Sequence, residues 1–244
     1  MKRQTATSLC GDVLKTVVGE PMISWIIFDL GGIVVPETSG YIMTQIAEEL
    51  GIQPDLLAEA IGVHQDSAIR GEQTLLQVYG SVVRDLGLSV DPAAILCRHL
   101  AFYRQAAARH DPDFVALLHR LKKDLSVACL TNTEPEIAHI SCETGLFDYF
   151  DRRYLSTELG MKKPDTEIYI AVLADIGRRP EEVLFVDDRE ENVTGAKSTG
   201  MHGLLFMNVT QLDRDLSNFC PSWIPGIKIA PTSESNTTSG SPQR

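Results

Sequence analysis

Apolar positions along the chain fall into two patterns: short runs with few polar interruptions, and longer stretches with an apolar residue every three or four positions. Trp25 to Phe28, Leu125 to Leu130, Val183 to Val186 and Gly203 to Phe206 form the runs. They predict strands buried on both faces. Arg153 to Ser156 reads as a further short strand. The spaced stretches predict amphipathic helices: one on Phe114, Leu117, Leu118 and Leu121, and others over Glu136 to Thr144, Thr166 to Ile176 and Asn192 to Thr199. The last three each stop at a glycine, Gly145, Gly177 or Gly200, as helix C-termini commonly do. Strands alternating with helices predict an α/β fold, a Rossmann-like parallel sheet covered on both faces.

One interval breaks this rhythm. From Tyr41 to His110 no buried strand is evident. Four apolar stripes follow one another instead: Ile42, Ile46, Ala47 and Leu50; Leu56, Leu57, Ala60 and Ile61; Leu75 through Leu86; and Ala93 through Leu100 after the Asp91-Pro92 start signal. Such a stretch is too long for a plain crossover and predicts a helical cap inserted after the first strand. The expected layout is an N-terminal extension over 1–21, an α/β core from 22–36 and 113–227, a helical cap over 37–112, and a disordered C-terminal tail over 228–244. The tail is polar, with no bulky apolar residue after Ala230.

A hydrophobic content of 43% in 244 residues supports a sizeable core. No run approaches the roughly 18 residues of a membrane span, and polar Thr5, Thr7, Ser8, Asp12 and Lys15 interrupt any signal-like segment, so a cytoplasmic location without membrane contact is expected. The net charge of -11 argues against a nucleic-acid partner. It leaves room for a small phosphorylated metabolite, bound by a monomer or homodimer. Five cysteines without CxxC spacing indicate neither a disulfide framework nor a zinc site.

The chemistry sits where the buried runs end. Asp29 closes the first and is followed by Gly31 and Gly32; Thr131 and Asn132 close the second; Asp187 and Asp188 close the fourth; Lys163 precedes a helix. In a parallel sheet with right-handed crossovers these ends share one edge. Carboxylates from two strands suit a hard cation such as Mg²⁺. A hydroxyl and a lysine beside it can hold phosphoryl oxygens, leaving one carboxylate free as a nucleophile.

In these residues the chain resembles the haloacid dehalogenase superfamily of phosphohydrolases. The matching segments are Phe28-Asp29-Leu30-Gly31-Gly32-Ile33-Val34, Leu130-Thr131-Asn132-Thr133, Gly160-Met161-Lys162-Lys163-Pro164-Asp165 through Tyr169, and Phe185-Val186-Asp187-Asp188 with Asn192, Gly195, Ala196 and Gly200. The resemblance implies Asp29 as nucleophile and Thr131 and Lys163 as phosphate-binding groups. It implies a Mg²⁺ site from Asp29, the Gly31 carbonyl, Asp187 and Asp188, with Asp188 the more direct ligand of the acidic pair. Gly31, Gly32, Asn132 and, from a cap loop over the site, Arg70 are the expected substrate contacts. The activity implied is Mg²⁺-dependent hydrolysis of small phosphomonoesters, sugar-phosphate-like, through an aspartyl-phosphate.

One departure matters. Most phosphatases of this superfamily carry a second aspartate two residues after the nucleophile as general acid and base, and here that residue is Gly31. The Asp-Leu-Gly form resembles a subgroup that includes sugar-1-phosphate phosphatases, whose leaving groups need less proton assistance; Glu37 is a candidate substitute acid. Two alternatives follow from Gly31: a metal-independent 2-haloacid dehalogenase, or a non-catalytic binding protein. The adjacent Asp187 and Asp188 favour the phosphatase, because a like-charge pair is costly without a cation. The six histidines show no ligand spacing, Tyr79, Phe102 and Tyr103 read as cap core, and Lys162 reads as solvated.

Overall fold

A computed structural model describes residues 22–36 and 39–226. The predicted N-terminal extension, Glu37 and the predicted tail lie outside the described residues. The strands are β1 (Trp25–Phe28), β2 (Ser126–Thr131), β3 (Arg152–Leu155), β4 (Val183–Asp187) and β5 (His202–Leu205), in one five-stranded sheet of order β3-β2-β1-β4-β5. All neighbours run parallel. Phe28 pairs with both Cys129 and Val186, so Asp29, the end of β2 and Asp187 come to the same edge.

Strand alternation sends side chains to opposite faces. Ile26, Phe28, Val127, Cys129, Leu184 and Val186 join Phe114, Leu117 and Leu121 of α5 (Pro112–Leu121) in one core layer. Ile27, Ala128, Leu130, Val183 and Phe185 join Ile168, Tyr169 and Val172 of α8 (Thr166–Ile176) in the other. The predicted strand from Arg153 to Ser156 shifts by one residue. Ser156 instead opens the short helix α7 (Ser156–Leu159), with its hydroxyl donating to the Ile69 carbonyl at 2.7 Å and accepting from the Thr133 amide at 2.9 Å. That role places the hydroxyl between backbone segments, out of the ladder.

Between β1 and α5 lie α1 (Ser39–Leu50), α2 (Pro54–Ile69), α3 (Leu75–Asp85) and α4 (Pro92–Ala107). Proline in the first turn starts α2 and α4, and a Thr74/Gln77 capping box starts α3. Their buried faces form a separate apolar cluster of Ile42, Ile46, Leu57, Ile61, Val78, Tyr79, Val82 and Ile95. The remaining helices are α6 (Pro135–Glu143), α9 (Glu190–Ser198) and α10 (Val209–Asp215). Among the described residues no helix is long and apolar enough to cross a membrane.

Candidate active site

Asp29, Asp187 and Asp188 meet at the C-terminal edge of β1 and β4, with one oxygen of each within 4.8 Å of the others. Lys163 reaches into them from the loop before α8: its Nζ lies 2.8 Å from Asp29 Oδ1 and 2.7 Å from Asp187 Oδ2. Burial alone would discharge this lysine, but Asp29 and Asp187 outweigh it and raise its pKa, so it stays cationic. Burial pushes the Asp29 carboxyl above its ordinary range; Lys163 pulls the other way and Asp187 adds to the rise. Three carboxylates against one ammonium leave an excess of negative charge.

The two acidic neighbours on β4 differ. Asp187 is fully buried, and beyond Lys163 it accepts hydrogen bonds from the Arg189 amide at 2.9 Å and Asn192 Nδ2 at 3.0 Å. Asp188 forms no salt bridge among the described residues and lines the adjoining cavity. Its pKa is raised to about 6, first by burial and then by Asp29 and Asp187.

Asp29, Gly31, Thr131, Asn132, Lys163 and Asp188 all line a cavity of about 630 Å³ between the sheet edge and the preceding helices. Three residues expected as substrate contacts have protein partners in the structure. Asn132 reaches the cavity, but its amide group is engaged elsewhere: Nδ2 donates to the Lys163 carbonyl and Oδ1 accepts the Lys163 amide, both at 2.8 Å. It fixes the lysine loop to β2. The Gly32 amide donates to the Val35 carbonyl at 2.9 Å. Arg70 is not among the cavity-lining residues; its guanidinium pairs with Asp165 at 2.6 Å and Asp66 at 3.3 Å. Lys162, expected to be solvated, also pairs with Asp66.

The two glycines after Asp29 have different roles. Gly32 has a φ of +72° and its missing Cβ would lie 2.0 Å from Asp188 Oδ2, whereas a Cβ at Gly31 would meet nothing within 4 Å. Gly32→Ala is therefore expected to lose roughly 1–3 kcal/mol of stability by thermal unfolding. Gly31→Ala should be close to neutral, and equal losses in the two variants would contradict this assignment.

Sequence reasoning missed the far wall of the cavity. Glu134 is buried just beyond β2, accepts from Gln65 Nε2 at 2.6 Å, and burial raises its pKa despite that bond. Tyr79 Oη sits 2.7 Å from His99 Nδ1, and Tyr103 Oη 2.9 Å from Ser141 Oγ. All six of these residues line the cavity. The signal available for Glu134 was its position three residues after Thr131, but an acid before Pro135 reads equally as an ordinary helix start.

Comparison with known proteins agrees with this fold. A HAD family enzyme from Bacteroides thetaiotaomicron, solved as a magnesium complex, superposes with a TM-score of 0.61 at 25% identity, covering 75% of this chain and 93% of that one. A sesquiterpene phosphatase of Aspergillus oryzae is 38% identical over 108 residues, 43% of this chain and 55% of the relative. A D-ribitol-5-phosphate phosphatase of Bacteroides thetaiotaomicron is 37% identical over 87 residues, 33% of this chain and 42% of the relative. These matches thus span about half the length of the curated relatives. The sequence profile of haloacid dehalogenase-like hydrolases matches residues 23–200, most of the described chain and all of the acidic edge, and the chain belongs to that family.

Proposed function

We propose that the protein is a Mg²⁺-dependent phosphomonoesterase acting on a small phosphorylated metabolite through an aspartyl-phosphate on Asp29. The observation that carries this reading is the buried Asp29–Lys163–Asp187 ion network at the end of the central strand, opening onto the cavity. Phosphatases among its relatives support the same chemistry. Asp29 attacks phosphorus, the ester P–O bond breaks and the alkoxide leaves, taking its proton from water. Water then attacks the same phosphorus and releases inorganic phosphate, restoring the carboxylate. Thr131 and Lys163 hold the phosphoryl oxygens.

The excess negative charge fits a divalent cation held by Asp29, Asp188 and the Gly31 carbonyl, with Asp187 anchoring Lys163 beside it. When bound, the cation neutralises charge on the phosphoryl group. Ligation requires an ionised Asp188, and its carboxyl protonates as pH falls through about 6. Magnesium affinity, measured by calorimetry, is therefore expected to be full at pH 7.5 and to fall markedly at pH 5. An unchanged affinity would remove Asp188 from the ligand set. A panel of phosphorylated metabolites with and without Mg²⁺, run beside 2-haloacids, tests the reaction class. Halide release without metal would replace this reading with the dehalogenase.

A further inference from the structure

Away from Asp29 the cavity wall has a definite chemistry. Ile42, Ile61, Leu75, Tyr79, Ile137 and Phe147 supply apolar surface. The cationic side chains in the lining, Lys163 and Arg189, both belong to the Asp29 end: Lys163 is held by Asp29 and Asp187, and Arg189 follows Asp188 and pairs with Glu191 at 2.5 Å. His99 adds no charge at neutral pH, since burial lowers its pKa to about 4. Beyond Asp29 and Asp188 at that same end, the other charged lining residues are Asp55 and Glu134. A second anionic group on the substrate would thus meet no counter-charge and at least one buried acid.

A polyol fits the wall poorly as well. Each hydroxyl taken from water needs a partner, and six of the polar side chains of the wall are already matched to one another, Tyr79 with His99, Tyr103 with Ser141 and Gln65 with Glu134, while the Thr44 and Thr133 hydroxyls are spent on backbone carbonyls. The volume of about 630 Å³ is that of a pocket for a drug-sized ligand and exceeds what a phosphoryl group alone requires.

We infer that the substrate is the monophosphate of a neutral, largely hydrocarbon alcohol of about ten or more carbon atoms, its body lying against the apolar wall while its phosphate meets Asp29. This rests on the phosphomonoesterase reading for turnover, but not for binding. Burial of each methylene is worth up to about a fourfold gain in affinity.

The test uses n-alkyl monophosphates from two to ten carbons for turnover with Mg²⁺, and the matching non-hydrolysable alkylphosphonates for calorimetry, with phenyl phosphate as the general phosphatase probe. We expect kcat/KM to rise at least 100-fold from the ethyl to the decyl ester, mainly through KM, with phosphonate affinity rising in parallel. Ribitol 5-phosphate and glycerol 3-phosphate should stay near the ethyl ester. Met43→Arg, which adds a guanidinium to the wall, should flatten the chain-length slope about tenfold. Hydrolysis of phenyl phosphate with no chain-length dependence, or a preference for the polyol ester, overturns the inference and leaves the phosphatase standing. If no phosphate ester is hydrolysed but phosphonate affinity climbs with length, the phosphatase reading fails and the cavity assignment holds. A slope unchanged by Met43→Arg places the chain elsewhere and also overturns it.

Discussion

Asp29→Asn is expected to reduce hydrolysis of any phosphate ester by on the order of 10⁴-fold or more, the usual scale for removing a covalent nucleophile. The replacement keeps the shape of the side chain and a carbonyl oxygen for Lys163, 2.8 Å away in the parent. It also removes one of three clustered carboxylates, relieving repulsion from Asp187 and Asp188. Stability should therefore hold or improve slightly, so the loss can be assigned to chemistry. Steady-state rates on phenyl phosphate and a thermal unfolding curve decide the matter. Activity within tenfold of the parent would remove the aspartyl-phosphate route.

Gly31→Asp carries the second large expectation, a gain. The position faces the cavity, lacks the left-handed backbone of its neighbour, and offers open space where a Cβ would go. An aspartate there can be built without strain and would supply the carboxylic acid that this first motif lacks. Alkyl esters, whose leaving alkoxide needs a proton, should speed up by part of the 10²- to 10⁴-fold worth of general acid catalysis, roughly 3–5 kcal/mol of barrier when well placed. Aryl phosphates should hardly respond. Comparing one alkyl and one aryl ester decides between outcomes: equal losses on both would mean that Gly31 serves the backbone and that the proton comes from another group.

The parts of the site that were legible in the sequence are those that follow from strand ends. Ile26, Ile27 and Phe28 had to be buried on both faces, so Asp29 had to stand at an edge, and the same logic placed Thr131 and Asp187 beside it. Uses that depend on partners distant in sequence left no such trace. The Asn132 side chain is joined to the Lys163 backbone by two hydrogen bonds across 31 positions, and neither residue type announces that pairing. Arg70 sits in the predicted loop, yet its reach was decided by Asp165, 95 residues away. Gly31 and Gly32 read alike in sequence, and only backbone angle and the position of Asp188 tell them apart. Glu134 and His99 became cavity residues through helix packing, which no local pattern records.

The ion pairs around Lys163 have a mechanical consequence. Its backbone is held to β2 by Asn132, while its neighbours on either side, Lys162 and Asp165, are held to Asp66 of α2 and to Arg70 just beyond that helix. The loop bearing the lysine therefore bridges two bodies: the sheet, which carries Asp29 and Asp187, and the helix, whose Ile61, Gln65 and Ile69 touch the cavity. A displacement of α2 by whatever fills that space is transmitted to the lysine loop through these ties. On the proposed phosphatase reading, an ester bulky enough to displace α2 is then expected to lose kcat as well as affinity.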